Sequence, residues 1–197
     1  MNASFKKRLL AYLLDCVFLI IIATIISLFI PINDNVKVLN QELTTIQNNY
    51  LKHDIKYTQY FNGSAEIIKD LDQQQIIFYL ITAILMIGYF VIWPYYHQGQ
   101  TMGKKKMQIK IVNNNNQAVT INTLLIRSMI ITGLGYMLIT MLLVYLLPSQ
   151  NYYLTISILS FMQMIIIITS GFMILNRANK KGIHDLIVKT KVIEVEK

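Results

Sequence analysis

The segment LLAYLLDCVFLIIIATIISLFI, residues Leu9–Ile30, decides the fold. About 20 mostly apolar residues in a helix cross about 30 Å of hydrocarbon, and this block has that length. Its single interior acid is Asp15. Three more blocks of the same kind follow at Ile76–Tyr96, Leu124–Leu147 and Tyr153–Leu175, none with an acid inside. The 197-residue chain is 54% hydrophobic and 14% charged, with a mean hydropathy of +0.46. Soluble domains are about a quarter charged, and too few polar residues remain here to coat a core of four buried helices. A disordered chain is excluded as well. Lys6, Lys7 and Arg8 resemble the basic start of a secretory signal, but the apolar run is too long, contains Asp15 and lacks a small-x-small cleavage site. The first block is read as a retained span.

Basic residues orient the spans. Lys6, Lys7, Arg8, Lys104, Lys105, Lys106, Lys110, Arg127, Arg177, Lys180, Lys181, Lys189, Lys191 and Lys197 fall on one side. The other side holds Lys37, Lys52, Lys56 and Lys69, outnumbered by six acids. The expected architecture is therefore an all-α integral membrane protein, one domain over 1–197, with four transmembrane helices and both termini cytoplasmic in the cell membrane. Residues 31–75 lie outside, 97–123 form a cytoplasmic loop, and 176–197 form a cytoplasmic tail.

The outer segment carries a loose helical stripe through Val36, Leu39, Leu43, Ile46 and Leu51, which suits a helix on the bundle mouth or lipid surface. Asn62-Gly63-Ser64 reads as a bend. In the loop, Met107, Ile109 and Ile111 alternate with polar residues, an Asn run turns, and Ala118–Ile121 resumes, so a short β-hairpin is expected. Val188, Thr190 and Val192 repeat the alternation in the tail and are expected to join the same small sheet.

Chemistry concentrates on few residues. Asp15 lies roughly 9 Å below the inner interface at the helical rise. There an ionised acid costs several kcal/mol unless protonated, hydrated or paired. Arg127, about three residues into the third span, is its expected partner, at salt-bridge or one-water distance. Arg8 should lean back toward the headgroups. Gly99-Gln100-Thr101-Met102-Gly103-Lys104-Lys105-Lys106 has glycines and lysines but neither the spacing nor the Ser/Thr of a phosphate loop, so nucleotide binding is rejected. Lys104, Lys105 and Lys106 are read as a basic cluster facing anionic inner-leaflet lipid. His184 reads as an ordinary surface histidine, and Asp185 as the neutraliser of a neighbouring cation or the cap of a local turn.

One cysteine, Cys16, excludes an internal disulfide and Cys-based zinc sites, and His53, His97 and His184 are too far apart for a local ligand set. With no metal set, cofactor motif or nucleophile–base constellation, the chain is not read as an enzyme, and nucleic acid is not an expected partner.

These residues resemble the RDD family of membrane proteins. Arg8-Leu9-Leu10-Ala11-Tyr12-Leu13-Leu14-Asp15 is similar to its opening, Gly99, Thr101, Gly103 and Lys104 to its G-x-T-x-G-K loop, and Leu125-Ile126-Arg127 to its L-x-R. His184-Asp185-Leu186, with Thr190 and Val192, is similar to its tail. The resemblance places the name-giving arginine and two aspartates at Arg8, Asp15 and Asp185. It implies a bacterial membrane protein for which transport is proposed, in some members sodium/proton antiport. Two functions stay open at this stage. One is movement of a small cation, proton or solute, with Asp15 titrating and Arg127 or Arg8 tuning it. The other is a non-transporting accessory subunit that binds and regulates another membrane protein; a homo-oligomer is a possible assembly in either case.

Overall fold

The computed structural model describes residues 1–30 and 33–195; Pro31, at the start of the outer segment, and Lys197, among the tail cations, lie outside them. Helix α1 spans Phe5–Ser27, and the Ser4 hydroxyl that opens it accepts from the Lys7 amide. Around α1 the residues are apolar on every side, and only Ala11 and Asp15 are buried. A helix surrounded by lipid gains little by hiding more hydrocarbon, so small residues mark its protein-facing stripe. The lone acid shares that stripe.

The outer segment is a helical hairpin, α2 (Asp34–Leu51) and α3 (Tyr57–Gln74). Asn62, Gly63 and Ser64 lie within α3 and make no bend. At Gly63 the tip of the Ile46 side chain of α2 fills the space beside the backbone, so the two helices approach closely there. Rather than lying free on lipid, α3 docks on the last long helix and leads into α4 (Ile76–Ile87) after Gln75. The second block continues through a π-helical segment, Gly88–Ile92, to α5 (Trp93–Tyr96). Next come the short helix α6 (Met102–Lys106) and strand β1 (Ile109–Asn113).

The third block corrects the expectation of one continuous span. It divides into α7 (Ile121–Ile131) and α8 (Leu134–Leu146), bent by 75°. Gly133 takes φ 79° at the break. Helix α9 (Ser149–Asn176) follows, then α10 (Ile183–Ile187) and β2 (Thr190–Glu194). Among the described residues, three helical stretches are long and apolar enough to cross a membrane: Phe5–Ser27, Ile76–Tyr96 and Ser149–Asn176.

The sheet also differs from expectation in its pairing. Strand β1 does not fold back on Ala118–Ile121; it pairs antiparallel with β2 of the tail, Ile111 opposite Val192. The Asn113–Gln117 turn closes on itself, and Val119 drops into the core. Alternation turns Ile109, Ile111 and Val192 against Ala3, Ala11, Val91 and Leu124, while the other face of the ribbon is half-buried apart from the buried Val112. The Ala3 amide donates to the Val192 carbonyl, so both termini lie together at this end. At the hairpin end, Asp72 accepts from Tyr79 (2.7 Å) and Tyr152, while Lys69 donates to the Leu147 carbonyl beyond α8 (2.7 Å). A cation there complements the free carbonyls of a helix C-terminus.

Ile111→Ala removes a core side chain under the sheet and is expected to cost about 2–5 kcal/mol. Thermal unfolding in detergent measures the loss, and protease should then cut after α10.

Candidate functional site

Two buried carboxylates organise the termini end. The first is Asp15, fully buried. Its Oδ1 accepts from the Tyr89 hydroxyl (2.6 Å) and the Gly103 amide (2.7 Å), and its Oδ2 from the Thr101 hydroxyl (2.6 Å). The Lys104 ammonium stands 3.7 Å from Oδ2 and donates to the Thr101 oxygen. Local sequence explains the approach. Thr101 opens α6 by accepting from the Lys104 amide, which sets the Gly103 amide toward α1. A Cβ on Gly103 would collide with the Ala11 carbonyl and lie 2.6 Å from Asp15 Oδ1, so only glycine allows the contact. Tyr89 arrives from the π segment, whose wider turn lets Tyr89, Phe90 and Val91 all face inward. Such segments recur at functional sites.

The second carboxylate is Asp185, also fully buried. It meets Arg127 at Oδ1 and Arg8 at Oδ2 (2.9 Å), and it accepts from Thr190 (3.2 Å) and the Gly182 amide (3.2 Å). Arg127 also donates to the Thr190 hydroxyl (2.9 Å), and Arg8 donates to the carbonyls of Ala3 and Val192. His184 Nε2 lies 3.5 Å from Asp185, and its Nδ1 is 2.8 Å from the Ser170 hydroxyl of α9. A carboxylate only accepts, so the ring proton belongs on Nε2, and Ser170 then donates to Nδ1.

Charge and burial set the titrations. Burial pushes the Lys104 ammonium down to about 8 against the opposing pull of Asp15. Burial, aided by the positive charge of Arg127, pushes His184 down to about 3. Burial alone would raise the Asp185 carboxyl, but Arg127 and Arg8 overcome it and hold it well below the usual carboxylate range. With His184 neutral, three cations (Arg8, Lys104, Arg127) face two carboxylates, an excess of one positive charge. Among the described residues, no group of three or more His, Cys, Asp or Glu side chains converges as a metal set.

Several expectations are corrected. Asp15 and Arg127 form no direct pair among the described residues; Lys104 and two hydroxyls serve Asp15, and Asp185 takes Arg127. It is Asp185 of α10, and not Asp15 of α1, that sits beside Arg127. Arg8 turns inward instead of leaning out, and each of its three guanidinium nitrogens donates once, to the buried Asp185 or to one of two carbonyls. Lys104 leaves the basic cluster for Asp15, while Lys105 and Lys106 stay exposed. His184 is buried and no surface residue. Tyr89 and Ser170 were not singled out for this site; a hydroxyl inside an apolar block needs a partner and was the available signal.

The signature of loop and tail thus converges on two joined centres. The RDD family model matches residues 2–189. The chain belongs to the RDD family. No curated protein and no solved structure matches it. Arg8 and Asp185, 177 residues apart in this RDD protein, are one ion pair, and Asp15 stands in the adjoining centre.

Removing one partner of a buried ion pair costs about 3–5 kcal/mol, because it strands the other charge. Arg127→Ala is expected to lower stability by that amount, read by thermal unfolding in detergent. His184 gives a pH signature. The unfolded chain protonates it near pH 6.5 and the folded one only near about 3, so acidification through that window destabilises the fold. Asp185 adds loss only below its ordinary 3.8. Melting temperature against pH should slope across the upper window in the native protein and flatten there in His184→Gln.

Proposed function

We propose that this RDD-family membrane protein moves a small ion or solute, with cation/proton exchange at the Asp15–Lys104 pair as its concrete form. One observation carries the reading: a fully buried carboxylate on a membrane-length helix is matched by a single ammonium, which also lines a cavity. An intramembrane carboxylate needs a compensating positive charge. The Lys104 ammonium supplies it while protonated. Once Lys104 releases its proton, a small cation beside Asp15 does the same, and the Tyr89 and Thr101 hydroxyls can turn oxygen lone pairs toward it. The protonated Lys104 and the cation then compete for one carboxylate, which is the requirement for exchange.

The broken third block supports the same reading. Ser128, Ile131 and Thr132, just before the break, line that cavity, and interrupted helices line the substrate sites of many transporters. Taken as one broken span, α7 and α8 bring the count to four. The exposed Lys105, Lys106, Arg177 and Lys189 at the termini end favour a cytoplasmic placement of that end.

Purified protein in liposomes should exchange sodium for protons, read with a pH-sensitive dye. Below about pH 8 the protonated Lys104 holds Asp15, so flux should rise as pH climbs through that value. Asp15→Asn should abolish flux, and Lys104→Gln should abolish it too, because it removes the group that carries the proton. Flux unchanged in Asp15→Asn would overturn the assignment. Absence of flux together with a stably co-purifying membrane protein would put the accessory-subunit reading in its place.

A further inference from the structure

The cavity at the termini end has a second property, independent of any exchange at Asp15. It measures about 510 Å³, within the span of about 300–1,000 Å³ common for ligand sites. Its walls are apolar, with Leu9 and Tyr12 from α1, Leu124 and Ile131 from α7, and Ile168 and Phe172 from α9. Leu9, Ile168 and Phe172 are exposed on the outer surface of the bundle, 43%, 62% and 66% respectively. The mouth therefore opens between α1 and α9 onto the surface that meets lipid tails. The floor is different. Arg127 and Lys104 reach the cavity there, beside the carboxylates described above.

Two features of that floor point to an anion. Its charges leave one positive unit uncompensated while Lys104 is protonated. The Arg127 side chain is only 9% exposed, yet among the described residues only its Nη1 has hydrogen-bond partners, which leaves Nε and Nη2 available. Neither nitrogen is sealed off from a ligand, for among the described residues the buried side-chain atom without a partner is Ser64 Oγ, and phosphate oxygens accept two guanidinium donors side by side. We propose that the cavity binds one anionic phospholipid, its phosphate on Arg127 and Lys104 and one acyl chain between α1 and α9. A soluble anion fits less well, because the entrance lies among exposed Leu, Ile and Phe. A zwitterionic lipid fits less well too, because its ammonium would add a cation to a floor already in excess. Basic pockets between membrane helices are a recurrent setting for acidic headgroups.

Native mass spectrometry of the full chain in detergent, with added dioleoyl-phosphatidylglycerol or dioleoyl-phosphatidylcholine, tests this. One phosphatidylglycerol per protein should be retained at least tenfold more than phosphatidylcholine. Arg127→Gln should lose that preference. Since Arg127 also holds Asp185, Gly171→Leu is the second variant; it fills the cavity from α9, where a Cβ meets only Phe5 at 3.6 Å, and leaves every charge in place. It should reduce phosphatidylglycerol retention tenfold with an unchanged circular dichroism spectrum. Equal retention of the two lipids, full retention in Gly171→Leu, or one-to-one displacement by oleate or inorganic phosphate would overturn the proposal.

Discussion

A carboxylate taken out of water must find replacement donors and charge, and Asp185 finds them on elements far apart in the chain. Arg8 comes from the first helix, Arg127 from the broken third block, and Thr190 from the last strand. None of these groups could be buried alone without a penalty of several kcal/mol. Their mutual satisfaction makes the termini end one unit, and the sheet of β1 with β2 closes over it. The apolar belt, whose surfaces are interchangeable in lipid, contributes little such specificity. Position in this protein is set by its few charges.

Asp15 extends the same logic toward the membrane interior. It ties α1 to the π segment through Tyr89 and to the loop helix through Thr101, Gly103 and Lys104. The loop is therefore a structural wall, held against α1 by a glycine with no room for a side chain. The two centres share an electrostatic field, since Lys104 senses Asp15, Arg127 and Asp185 together. A change of charge at either one is felt at the other, and both border one cavity.

The spans at Leu9–Ile30, Ile76–Tyr96 and Tyr153–Leu175 were legible because run length and hydropathy are local properties. The break at Gly133 was not, since a left-handed φ leaves no mark on hydropathy. Alternation identified Ile109–Ile111 and Thr190–Val192 as strands, and it correctly joined the tail to the sheet. It could not rank Ala118–Ile121 against the tail as partner, because both alternate; burial of Val192 beneath Ala3 decides that. In the site, the need of Asp15 and Arg127 for partners was readable from their places inside apolar blocks. Their lateral placement was not, and so the carboxylates exchanged partners. The membership of Arg8, Asp15, Asp185 and the loop in one signature was visible as a resemblance. That Tyr89 joins them depends on a π turn with no sequence mark of its own.

The clasp between Arg8 and Asp185 has a consequence for biosynthesis. The guanidinium is synthesised 177 residues ahead of its carboxylate, so the first helix leaves the ribosome before its counter-charge exists. Until the tail folds back, the nascent chain holds two arginines seeking an acid, a form distinguishable from the finished one. Arrival of the tail is thereby written into the charge balance of the folded molecule.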